Sequence, residues 1–139
     1  MAARSVLVFT VFMLASAAGA QNAPKSVWDG VYSLEQADRG KATYDRFCSV
    51  CHGSGLTGSP GGPPLLGSDF AYTFGDQPVA ELVQFIKLRM PVENPDSLSP
   101  QQATNIAAHI LRGNGFPAGP KDLSTDFDAQ ADIVIKIKQ

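Results

Sequence analysis

The sequence lacks the features that mark several large classes of protein. Lys and Arg number 11 against 13 Asp and Glu, so no basic surplus favours nucleic-acid binding. Only 2 of the 139 residues are cysteine, which excludes a disulfide-rich scaffold. No apolar run reaches the ~20 residues that a membrane-spanning helix needs. The length suits one domain, and the hydrophobic fraction of 44% is that of a globular protein rather than a disordered one.

The first 20 residues have the pattern of a secretory signal peptide. Arg4 supplies positive charge, residues 6–18 are apolar or small, and Ala18-Gly19-Ala20 is a cleavage site of small residues. An uncleaved membrane anchor is the alternative, but the apolar run is only about 13 residues long. We therefore predict cleavage after Ala20 and an exported, periplasmic protein whose only remaining methionine is Met90.

A helical pattern begins after residues 21–32, which are predicted to be a flexible leader. Ser33 is a candidate N-cap, and Gln36 three residues later closes a capping box. Small and apolar residues then recur every three or four positions as far as Cys51, as one helical face requires. Residues 53–67 contain six Gly and three Pro, so this segment is predicted to be a loop.

Two further helices are predicted after the glycine-rich loop. One begins at Pro78 and ends at Met90, before a proline, and the next runs from Ser99 to Gly113. Three helices with long Gly/Pro loops bury too little apolar surface for a firm core. The sequence therefore predicts a small all-α bundle of three main helices around a large cofactor. Residues 121–139 are predicted to be a loosely docked C-terminal extension with a strand that lacks a partner.

The most informative motif contains both cysteines. Cys48-Ser49-Val50-Cys51-His52 matches C-x-x-C-H, the pattern of covalent haem c attachment. Two thiols at this spacing lie near one helical face and can each form a thioether with a haem vinyl group, while His52 ligates the iron. The alternatives are a redox disulfide, which expects a preceding strand, a zinc site with His109 at unusual spacing, and a strained structural disulfide.

Met90 is the candidate for the second axial ligand of the iron. It lies at a helix end well beyond His52, so its thioether can reach the opposite haem face. His/Met ligation raises the reduction potential of cytochromes c. The alternative is that Met90 only fills the core. His109 lies in mid-helix beside an apolar stripe and is predicted to be a packed core residue.

Over residues 33–120 the chain resembles a class I mono-haem cytochrome c. The resemblance rests on the cysteine motif, on Gly62-Pro63-Pro64-Leu65-Leu66-Gly67, on Met90-Pro91 and on a terminal helix followed by Asn114-Gly115-Phe116-Pro117. The last of these segments, together with Val31-Tyr32-Ser33, resembles segments found in the cytochromes that serve as haem partners of quinoprotein dehydrogenases.

The resemblance implies roles for several residues. Gly40, Tyr44 and Phe47 are expected where the first and last helices cross. The carbonyl of Pro63 is expected to accept a hydrogen bond from Nδ1 of His52, which leaves Nε2 for the iron.

The expected function is one-electron transfer in the periplasm by a protein that is not itself an enzyme. Its partners would be a donor dehydrogenase and a terminal oxidase or another cytochrome. One alternative is a haem c subunit held in a quinoprotein (alcohol-type) dehydrogenase complex, and another is an open-site haem enzyme or gas sensor. Residues 53–58 also fit G-x-G-x-x-G, but a helix precedes them and a proline-rich loop follows, which is not the setting of a dinucleotide site.

Overall fold

The computed structural model describes residues 25–138, so the predicted signal peptide and residues 21–24 lie outside the described residues. Helices dominate the described part, and none of them is long and apolar enough to cross a bilayer. The elements in chain order are β1 (Lys25–Ser26), a 3-10 turn (Val27–Asp29), α1 (Leu34–Phe47), α2 (Ser49–His52), α3 (Gly67–Phe74), α4 (Val79–Arg89), α5 (Pro100–Gly113), α6 (Phe127–Ala131) and β2 (Ile133–Val134).

Helices α1 and α5 cross in close contact at the centre of the fold. Ser33 caps α1 by accepting a hydrogen bond from the Gln36 N–H, and Ser99 and Gln102 form a capping box at the start of α5. A Cβ on Gly40 would stand 1.8 Å from the backbone oxygen of Asn105. Only glycine at position 40 therefore allows the two backbones to approach this closely.

Two details of α1 differ from the prediction. Gln36 does not close a capping box; instead its Nε2 donates to the Leu123 carbonyl at 3.0 Å, and the Leu123 N–H donates to its Oε1 at 2.7 Å. The helix ends at Phe47, and the cysteine motif continues in the separate short helix α2. A buried amide can pair with a distant backbone segment, and local sequence does not reveal that partner.

The expectation of a loosely docked tail with an unpaired strand is wrong. β2 pairs with β1 in parallel, with Lys25 opposite Ile133. Beyond β2, Ile135 is fully buried; its carbonyl accepts from the Asp76 N–H at 2.8 Å, and its N–H donates to the Gln77 carbonyl at 2.9 Å. The tail therefore fixes the turn that leads into α4.

The core lies between α1, α4 and α5, as the apolar stripes predict. Helix α3 was not predicted, because it begins in the glycine-rich segment and its N-cap residue, Leu66, provides no side-chain cap. The α4 and α5 side chains in this core are Val79, Leu82, Val83, Ile86, Ala103, Ile106, Ala107, Ala108, Ile110 and Leu111. One end of this core opens into a large cavity.

Candidate functional site

A cavity of about 570 Å³ lies beside the core, and its walls are mainly apolar. Close-packed protein interiors leave few voids larger than a water molecule, so a cavity of this size in so small a domain marks a ligand site. Cys48, Cys51 and His52 of the predicted motif and the predicted axial ligand Met90 all line it. Its lining includes Phe47, Cys48, Cys51, His52, Gly62, Pro63, Leu65, Phe70, Tyr72, Leu82, Phe85, Ile86, Met90, Val92, Ile106 and Ile110.

Helix α2 brings the two cysteines to one wall of the cavity. The backbone N–H groups of Cys51 and His52 both donate to the Cys48 carbonyl, at 3.1 and 2.9 Å. The two thiols are half-buried and not joined to each other. Burial, reinforced by neighbouring Cys51, raises the pKa of the Cys48 thiol to about 11. A redox-active cysteine needs a lowered thiol pKa, which Cys48 does not have. The redox alternative also expects a strand before the motif, but helix α1 precedes it.

A hydrogen bond fixes the imidazole of His52. Its Nδ1 lies 2.8 Å from the carbonyl oxygen of Pro63, the acceptor that the resemblance implied. Because a carbonyl only accepts, Nδ1 carries the proton and Nε2 is left to bind a metal. A Cβ on Gly62 would stand 3.1 Å from the His52 ring, so glycine lets the loop lie against the imidazole.

Met90 reaches the same cavity from a different helix. It is the C-cap of α4, and its N–H donates to the Ile86 carbonyl at 3.2 Å. The side chain is half-buried and lines the cavity together with Pro91. The thioether is therefore presented by the end of α4, as its position before Pro91 predicted.

His109 lies outside the cavity lining, in the α1–α5 crossing. It is 7% exposed, its ring centre is 5.2 Å from that of Tyr44, and Nη2 of Arg112 is 3.3 Å from its Nδ1. Burial first, and then the Arg112 charge, lower the pKa of His109 to about 4. The ring is therefore a neutral packing group, as predicted.

The zinc alternative also fails on placement. Within residues 25–138 no group of three or more His, Cys, Asp or Glu side chains could hold a metal ion.

Tyr44 occupies the crossing as the resemblance implied, and its hydroxyl donates to the Gly53 carbonyl at 2.6 Å. Phe47 does not follow that expectation fully, because it is 37% exposed and lines the cavity.

The residues around the cavity fit a covalently attached haem. Two thiols, an oriented imidazole nitrogen and a thioether are the groups that such a cofactor requires, and the remaining walls suit an apolar macrocycle. Sequence reasoning missed two contributors: α3, which supplies Phe70 and Tyr72, and Asn114, which ties the loop to α5. An Asn beside Gly signals only a helix end, so its long-range hydrogen bonds could not be read from the sequence.

Comparisons with known proteins agree with this fit. The family described as "Cytochrome C oxidase, cbb3-type, subunit III" matches residues 35–110, more than half of the chain. Thiosulfate dehydrogenase of Stutzerimonas stutzeri (strain A1501) is 36% identical over 78 residues, which are 52% of this chain and 25% of that protein. The crystal structure of the sulfane dehydrogenase SoxCD from Paracoccus pantotrophus matches with a TM-score of 0.53 and 19% identity, over 76% of this chain and 60% of that chain. The chain thus spans a quarter of the curated relative's length, and the structural match shows a shared fold.

Proposed function

We propose that this chain, a member of the cytochrome c family, is a mono-haem protein. It carries single electrons between protein partners in the periplasm. Domains of this family carry haem c, transfer electrons and are typically exported. One observation carries the proposal for this chain. The two thiols of the cysteine motif, His52 and Met90 line one apolar cavity.

Each residue of the site has a role in this proposal. Cys48 and Cys51 would hold the haem through thioether bonds, and Nε2 of His52 and the Met90 sulfur would ligate its iron. When bound, haem c supplies a one-electron redox centre. The Pro63 carbonyl keeps the His52 ring in one orientation through the 2.8 Å hydrogen bond. Because His52 and Met90 would both ligate the iron, no ligand position would remain for a substrate, and this favours a carrier over an open-site enzyme or gas sensor.

Exposed side chains at the mouth of the cavity support exchange with a protein partner. Val50 is 84% exposed, Tyr72 is 94% exposed and Val92 is 63% exposed, and all three line the cavity. A small apolar patch beside a redox centre suits a partner that binds briefly and leaves. Donor dehydrogenases and terminal oxidases or other cytochromes are the partners we propose.

The second candidate function is that of a haem subunit within a dehydrogenase complex. The similarity to a thiosulfate dehydrogenase favours this version, with oxidation of a sulfur compound at another centre. The quinoprotein dehydrogenase version stays a prediction, because it rests on residues 31–33 and 114–117 alone. The two candidates differ in whether the chain purifies alone or with a larger subunit from the periplasm.

The experiment that tests the carrier proposal is expression with a haem-attachment system, followed by intact-mass measurement and absorption spectroscopy. We expect the polypeptide mass plus one haem, and the weak long-wavelength band of an iron–thioether bond in the oxidised protein. Met90→Ala should abolish this band and let the reduced protein bind CO. Leu88→Ala is the matched control, because Leu88 lies on the same helix and is 48% exposed.

Two results would contradict the proposal. A measured mass equal to that of the bare polypeptide would show that no haem is attached. Rapid CO binding by the reduced wild-type protein would remove Met90 as a ligand and favour the open-site class.

A further inference from the structure

Asn114, at the C-terminal end of α5, makes three hydrogen bonds to the segments around the cavity. Its Nδ2 donates to the Leu65 carbonyl and to the Ile110 carbonyl, both at 2.9 Å. Its Oδ1 accepts from the Gly67 N–H at 3.0 Å. Both amide protons and the amide oxygen are therefore used, and the side chain bridges α5 to the loop that carries Pro63.

The bond to Gly67 takes the place of a helix cap. Gly67 is the first residue of α3, and Leu66 before it provides no side-chain cap. The first N–H groups of a helix have no partner within the helix, and a side-chain oxygen normally accepts from one of them. Asn114 supplies that oxygen from 47 residues away in the sequence.

The bond to Leu65 leads to the imidazole through a short stretch of backbone. Pro63, two residues before Leu65, accepts the hydrogen bond from His52 Nδ1 at 2.8 Å. On the other side, the Leu65 N–H donates to the Leu56 carbonyl at 2.8 Å. Leu65 is thus held at both its N–H and its carbonyl, and loss of the Asn114 bond frees the loop on one side.

We propose that Asn114 is a positioning residue for His52, acting through the Leu65 and Pro63 backbone, and that it thereby sets the orientation of the axial imidazole. This inference rests on the proposed function, because it concerns the imidazole as an iron ligand. Nothing in the arrangement requires Asn114 to touch the haem. Its effect on His52 passes through the loop at residues 63–67.

The test compares Asn114→Ala with Asn105→Ala in the haem-loaded protein. Asn105 is the matched control, because it lies on the same helix, is 6% exposed, and within residues 25–138 forms a side-chain hydrogen bond only with Gln101. Both changes are neutral in charge. The readouts are the exchange rate of the His52 Nδ1 proton in the reduced protein and the paramagnetic NMR shifts of the haem methyl groups in the oxidised protein.

In Asn114→Ala we expect the His52 Nδ1 proton to exchange about five- to tenfold faster, as the loss of one hydrogen bond along this path implies. The methyl shift pattern should change, because it reports the orientation of the axial ligands. In Asn105→Ala both readouts should match the wild type even if stability falls.

Wild-type exchange rates and methyl shifts in a loaded Asn114→Ala protein would overturn the role of Asn114 and leave the proposed function intact. Equal changes in the two variants would also overturn it, because they would indicate a general loosening of α5. Failure of the wild type to take up haem would instead overturn the proposed function.

Discussion

Replacement of Gly40 by alanine is the sharpest test of the helix crossing that supports the site. The new Cβ would stand 1.8 Å from the Asn105 oxygen, 2.5 Å from the Asn105 carbonyl carbon and 3.1 Å from the His109 Cβ. Non-bonded heavy atoms rest at about 3.5–4.0 Å, so α1 and α5 must separate by about 1.5 Å. The nearest atoms belong to backbone and cannot move aside by changing rotamer.

Two opposing effects decide the sign of the change. Alanine in a helix interior is favoured over glycine by about 1 kcal/mol. Overpacking costs about 1–3 kcal/mol, and a rigid backbone neighbour places the cost at the upper end. We therefore expect Gly40→Ala to lower the free energy of unfolding by about 2 kcal/mol.

Urea unfolding of the haem-loaded protein at pH 7 measures this change. Gly55→Ala is the matched control, because its Cβ would meet only Thr57 Cγ2 at an ordinary 3.7 Å. We expect the control to lie within about 0.5 kcal/mol of the wild type. If Gly40→Ala is as stable as the wild type, the close approach of α1 and α5 is wrong.

Three further changes have defined outcomes. Because the pKa of His109 is lowered to about 4, its contribution to stability is complete above its ordinary value of 6.5 and is lost as the pH falls toward 4. Between pH 7 and pH 5 the protonation of His109 should cost the wild type about 2 kcal/mol of its free energy of unfolding. Urea unfolding should show that this part of the decrease is absent in His109→Gln. Gln36→Leu leaves the buried Leu123 N–H and carbonyl unpaired and should cost about 2 kcal/mol in urea unfolding, with faster proteolysis of the tail. Gly62→Ala presses on the His52 ring and should shift the reduction potential, whereas Gly55→Ala should not.

The parts of the fold and site that could be predicted are those encoded in neighbouring residues. The apolar spacing of α4 and α5 gave their extents, and Pro78, Ser99 and Gly113 gave their ends within a residue. The cysteine motif indicated which residues form one wall of the cavity, because haem attachment depends on two cysteines three positions apart. The place of Met90 in the cavity lining could be predicted because the predicted mature chain has no other thioether.

The parts that could not be predicted depend on single contacts between distant segments. Helix α3 is capped by Asn114, and the tail is held by Gln36 and by Gln130, whose Nε2 donates to the Thr104 hydroxyl on α5 at 3.3 Å. A lone Gln or Asn has no periodicity, so its partner is visible only once the chain has folded. The family resemblance supplied the Pro63 acceptor, which residue patterns alone do not indicate.

The bonds between Ile135 and the turn at Asp76 and Gln77 bear on the order in which the protein matures. Because a polypeptide is synthesised from its N-terminus, both thiols of the cysteine motif emerge before Ile135, whose bonds secure the turn that leads into α4. An early intermediate can thus offer its cysteines and His52 while the helix that ends at Met90 is still loose. Under the proposed function, binding of the Met90 sulfur to the haem iron would then be the last step in assembly of the site.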